Sequence, residues 1–219
     1  MRRKQTRGVA IMEFSFIMLV MVPLLLGTLE IGLNMVNTLQ TVQLARDAGH
    51  MYARDVDFTQ SGNLQILASL GAGTGMSTST GAGQGNARLI LSKLRYVDKA
   101  TCLYNSPIVD LNGNPVGCFN QGQWVFAERI AIGNSSLRAS NFGNPSGGVT
   151  IAADGTITLA QQCTNTGDQA SFGVTTLNVY GNVTGLPSGQ FLYIAEAEAL
   201  GFKMNPYASN PMTYSFGIF

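Results

Sequence analysis

The sequence predicts an α+β chain, in which a long N-terminal membrane-spanning helix packs on, or leads into, a small antiparallel β-sheet domain. Three observations predict it. Residues 9–29 form a 21-residue run with a single charge, Glu13, and a helix needs about 20 mostly apolar residues to span a bilayer. The chain holds 26 glycines and many Ser, Thr and Asn, which favours turns and short strands over a helical bundle. Its second half repeats short apolar and polar alternations, the period of half-buried strands.

The first element is the helix. Arg2, Arg3, Lys4 and Arg7 precede residue 9, and no Lys or Arg follows until Arg46. The excess of cations on one side predicts a cytoplasmic N-terminus and an exported remainder. Pro23, Gly27 and Gly32 weaken the helix locally, which membrane helices tolerate. Past the bilayer, Met35, Leu39, Val42, Ala45 and Tyr52 recur at helical spacings. They predict one apolar stripe, packed on the chain's own domain or on a partner helix.

Residues 61–71 predict a short second helix, capped near Ser61 or Asn63. Residues 71–85 carry six glycines and no charge and read as a flexible linker, which places a boundary there. The expected division is therefore 1–8, 9–58, 59–86 and 87–219. In the last part, strands are predicted at 87–98, 123–133 and 190–202. The segment 148–160 reads as a hairpin around Asp154-Gly155, and 110–117 as an Asn-Gly turn. Glu196 and Glu198 alternate with alanines, so strand 190–202 is expected to turn one face to water. Trp124 is expected in the core. The tail 207–219 reads as a docking surface or a last strand.

Composition excludes several classes. Without the four leading cations, nine basic residues face twelve acidic ones, which is not the footprint of a nucleic-acid binder. No nucleophile elbow, zincin, P-loop or dinucleotide fingerprint occurs. His50 is the sole histidine and reads as a surface residue of the helix, not as a base. Glu196 and Glu198 share a strand face, but two solvated glutamates are a weak acid–base pair. The sequence therefore predicts no catalytic residue, no metal site, no cofactor and no small-molecule substrate. In an exported domain disulfides are permitted. Cys102 and Cys118 flank a 15-residue loop, which favours a bridge between them. Cys163 would then be free or cross-link subunits, and its pairing with either of the other two stays open.

Glu13 decides among the readings of the first segment. A cleaved secretory signal would have a shorter apolar region and a small-residue cleavage site. An uncleaved anchor of a periplasmic binding domain accounts for everything but the carboxylate, since an ionised group deep in the bilayer costs ~3 kcal/mol. The stretch Gly8-Val9-Ala10-Ile11-Met12-Glu13-Phe14 resembles the prepilin-peptidase site of type IV pilins and pseudopilins. The longer run through Glu30-Ile31 to Ala45-Arg46-Asp47-Ala48-Gly49-His50-Met51-Tyr52-Ala53 resembles the TadE-like proteins of tight-adherence (Flp-type) pili. A weaker echo continues at 122–134.

That resemblance implies a pilin-like fold and a minor pilin or pseudopilin. It implies cleavage between Gly8 and Val9, with Phe14 as context of the site. It implies that Glu13 pairs with the new amine of a neighbouring subunit. The partners implied are the inner membrane, a prepilin peptidase, other pilin subunits and the pilus assembly platform.

Overall fold

The computed structural model describes residues 6–171, 190–204 and 211–219. Arg2, Arg3 and Lys4, and residues 207–210 of the aromatic tail, lie outside that set.

One helix, α1 (Thr6–Tyr52), runs through the apolar segment and beyond it, with Pro23 inside. It ends at Asp55, which takes a left-handed conformation at φ 59°, while Val56 N donates to Met51 O. That reversal satisfies carbonyls the helix leaves open. The short helix α2 (Ser61–Leu70) follows. Four strands then form one antiparallel sheet: β1 (Ala87–Tyr96), β2 (Trp124–Gly133), β3 (Phe191–Leu200) and β4 (Met212–Ile218), in the order β2-β1-β3-β4. Between strands lie α3 (Lys99–Asn105) and α4 (Leu159–Thr164). The architecture is α+β, with a long apolar helix and a four-stranded antiparallel sheet, and the tail is its last strand.

The upper part of α1 lies on β3 and β4. The core there joins Leu44, Ala45, Ala48 and Tyr52 of the helix to Leu89, Leu91, Ala195, Ala197 and Ala199 of the sheet. The facing alanines let helix and sheet approach closely. A Cβ at Gly49 would overlap the Phe219 ring, so this glycine is the notch in which that ring sits. Only part of the predicted stripe packs on the chain's own domain. Ala45 and Tyr52 are buried, but Met35, Leu39 and Val42 point outward. Thr41, Leu44 and Ala48 complete the face that meets the alanine-lined sheet.

The segment 71–86 is fastened to its surroundings. Thr74 and Met76 are buried, and bridges join Met76 to Gly85 and Gly81 to Asn134. The hairpin expected at 148–160 is a turn without strands. Asp154 Oδ1 accepts from Thr156 N at 3.0 Å, and one isolated bridge joins Thr156 to Glu128 of β2. Thr158 then caps α4, its hydroxyl accepting from Gln161 N. The Thr-x-x-Gln spacing is a helix start, and it overrides the β-branched run before it.

The other face of the sheet also corrects an expectation. Glu196 and Glu198 are 2% and 5% exposed, not wet. The segment after β2 crosses over them and supplies their hydrogen-bond donors. Phe142 and Ile157 of the covering segments pack with Leu94, Trp124, Phe126 and Ile194 in a second core.

Candidate functional site

The N-terminal half of α1 carries the residues singled out by sequence. The backbone is helical at Gly8 and Val9. Glu13 is exposed, and no hydrogen bond or ion pair joins it to a described residue. Around it Ile11, Met12, Phe14, Phe16 and Ile17 are 58–70% exposed. From Ile11 to Leu26 the large apolar side chains are left exposed by the described residues. In lipid that suits the apolar side chains and isolates the carboxylate. An ionised group without a partner there is costly, and a pairing cation removes much of the cost.

The helix meets its domain through a polar strip that hydropathy alone does not reveal. Asn34 Nδ2 donates to Phe202 O and Asn37 Nδ2 to Leu200 O, both at 3.0 Å. Met204 N lies 3.5 Å from Glu30 Oε1. The two asparagines satisfy carbonyls, and Glu30 faces an amide N–H, at and just past the end of β3, where the chain leaves the sheet. They mark where the lipid-compatible half stops and the folded half begins. The signal was present in the sequence as Asn34 and Asn37, one helical turn apart.

At the opposite end of the domain, Cys102 and Cys118 are bridged, with Cα atoms 5.7 Å apart. The bridge closes a loop that exposes Tyr104, Ile108 and Leu111, and Phe119 just after it is exposed too. Asp110 folds the tip by accepting from Asn112 N at 2.9 Å and Asn114 N at 2.8 Å. Those backbone donors hold its carboxyl below the usual range. Cys163 is free and buried, packed with Cys102, Val97 and Val125. Burial pushes its thiol up, so it is a poor nucleophile.

Glu196 and Glu198 are structural anchors. Glu196 Oε1 accepts from Asn141 N at 2.8 Å and from the Tyr214 hydroxyl at 2.7 Å. Its Oε2 accepts from the Ser140 hydroxyl and lies 3.9 Å from Arg129. Glu198 Oε2 accepts from Arg138 N at 2.6 Å. Burial pushes the Glu198 carboxyl up and lowers the Arg129 guanidinium to about 10. Arg129 also donates to Ser92 and to Gly143 O. Glu196 Oε1 and Oε2 and Glu198 Oε2 thus tie the covering segment to the sheet, and Glu196 also holds Tyr214 of β4. Among the described residues, no group of three or more His, Cys, Asp and Glu could hold a metal ion.

Neither a curated protein nor a solved structure matches the chain. A family model described as "TadE-like protein" matches residues 8–50, a span that lies wholly inside α1 and takes in Gly8, Glu13, Glu30 and Gly49. Over residues 8–50, and so over its N-terminal helix, the chain is similar to TadE-like proteins.

Proposed function

We propose that this chain is a minor pilin or pseudopilin of a tight-adherence pilus or secretion apparatus. The observation that carries the reading is Glu13, a lone carboxylate on an otherwise apolar, uncovered half-helix, inside the span matched by the family model. Residues 1–8 are the leader, removed by a prepilin peptidase between Gly8 and Val9. Residues 9–58 are the transmembrane and amphipathic helix, 59–86 the connection and 87–219 the exported domain. The chain sits in the inner membrane with its N-terminus in the cytoplasm and its domain in the periplasm. It enters an extracellular pilus on assembly.

Cleavage frees an ammonium on Val9. In an apolar surround, Glu13 of one subunit and the Val9 amine of the next neutralise each other's cost. The carboxylate then acts as a register device, since only one stagger of two helices brings the charges together. Pairing favours assembled over separate helices without any catalytic step by this chain.

N-terminal sequencing of membrane fractions tests the reading. The mature chain is expected to begin at Val9. A chain that still begins at Met1 in cells with an active peptidase refutes it, and leaves the uncleaved single-span anchor. Glu13→Ala tests the pairing separately. Processing should continue while incorporation into filaments falls, and unchanged incorporation removes Glu13 from assembly.

A further inference from the structure

Beyond the end of α1 the sheet meets α4 and the segment before it, and a cavity lies between them. There β1 places Lys93 and Arg95 two residues apart, hence on one face. Both cations stand by the Phe191 ring of β3, at 4.5 and 4.7 Å from its centroid. With Glu128 and Gln162 they line a cavity of about 280 Å³. Lys93 has a counter-charge, Asp55, at 3.5 Å. Arg95 has none: no hydrogen bond or ion pair joins its guanidinium to a described residue. Its Nε–H is shut off from solvent and has no acceptor. On the same wall Gln162 donates its amide to Ile157 O at 2.6 Å, while its Oε1 stands without a partner.

A half-buried guanidinium is usually paired, because its planar donors match carboxylate, sulfate and phosphate oxygens two at a time. Here the scaffold holds the fork against Phe191 and pairs it with no described carboxylate, although Glu128 lines the same cavity. We propose that this cavity binds a small ligand bearing an oxyanion group, held by Arg95 and flanked by Lys93, with a ligand hydroxyl donating to Gln162. The cavity lies at the small end of ligand pockets, so the occupant is one ring or one side-chain-sized group. Glu128 is the opposing charge on the wall. Burial pushes its carboxyl up, against the pull of the Lys93 ammonium. An acidic saccharide residue has the required chemistry, and so in part does a free inorganic anion. This site does not depend on the pilus reading.

Titration calorimetry on the full chain in detergent micelles, in low-chloride buffer, tests it with D-glucuronate, inorganic sulfate and D-glucose. Saturable binding of glucuronate is expected, with weaker binding of sulfate, which lacks the hydroxyls for Gln162, and none of glucose. Arg95→Gln should weaken glucuronate binding about tenfold or more, the loss of one charge-assisted contact, with unchanged far-UV circular dichroism. Arg46→Gln, on the exposed face of α1, should leave it unchanged. Should Arg95→Gln fail to fold, Lys93→Gln is read instead, with a loss of about threefold, the share of a flanking, partly solvated charge. Binding of neither anion, or binding equal in wild type and variant, overturns the proposal.

Discussion

The two halves of α1 are one continuous helix, yet they follow different rules. In the N-terminal half, large apolar side chains are exposed all round, with Leu19 at 72%. In the C-terminal half one face is buried, with Ala48 and Thr41 at 0%, Leu44 at 1% and Tyr52 at 3%. A helix that is apolar on every side needs an apolar surround, and the described residues leave the N-terminal side chains exposed. The upper half comes close to an alanine-lined sheet, with Ala45, Ala48 and Gly49 on the helix side. Exposure all round therefore marks the half that the described residues leave uncovered. A single buried face, with small residues in it, marks the half that packs on the chain's own sheet.

Four substitutions can break or sharpen that contrast. The largest effect is expected away from the helix, where the domain secures its own interior. Glu196→Ala leaves Arg129 buried without its carboxylate and strips an acceptor from Asn141, Ser140 and Tyr214. Removing one member of a buried pair costs ~3–5 kcal/mol, and the denaturant midpoint of the detergent-solubilised protein should fall accordingly.

Next, Gly49→Leu drives a side chain into the Phe219 ring. Overpacking of this kind costs ~1–3 kcal/mol. A similar loss from a bulky residue at Gly27, where a Cβ meets nothing within 4 Å, would break the contrast between the halves.

The third prediction concerns pH. The Asp168 carboxyl is buried with both oxygens unpartnered, and burial raises its pKa to about 8. In the unfolded chain an aspartate loses its proton near pH ~4. Folding must therefore take up a proton between those values, and stability falls as pH rises through that window. Asp168→Asn should match the wild type at pH 4 and exceed it by ~1–3 kcal/mol at pH 7.5. Thermal melts at the two pH values measure both.

The smallest effect is expected on the outward face. Met35 is 66% exposed, so Met35→Ser should change the stability of the isolated protein by less than ~0.5 kcal/mol. A larger change would place Met35 against the chain's own domain.

The sequence discloses the elements better than it discloses their surroundings. The helix, α2, β1, β2 and β3 follow from local periodicity, and each is formed by neighbours in the chain. The buried glutamates do not. Ala-Glu-Ala-Glu-Ala has the alternation of a half-wet strand, and its polar half is buried only because Arg138 and Asn141 bring backbone donors from a distant segment. Which part of the α1 stripe meets the sheet was hidden for a related reason. Period shows that a face exists, but the choice between Met35 and Thr41 depends on the size of the residues opposite. At 148–160 the Asp-Gly turn is present, but its flanks find no ladder, and Thr158 starts a helix instead. Among the candidate site residues, Glu13 was legible because a charge in an apolar run is anomalous by itself. Arg95 was not, since an arginine on a strand becomes notable only when its counter-charge is missing in space.

The continuity of α1 makes it a phase-setting shaft. The domain is clamped to the upper half by Asn34, Asn37 and the core around Ala48, while the lower half stands clear of it. Each residue of an α-helix advances ~1.5 Å and turns ~100°. Where Glu13 comes to rest in an assembly therefore fixes both the height and the compass bearing of the sheet, the stapled loop and the Arg95 cavity. Deleting one residue between Phe14 and Val22 would leave the contacts of Glu30, Asn34 and Asn37 with the domain intact and point that whole surface in a different direction.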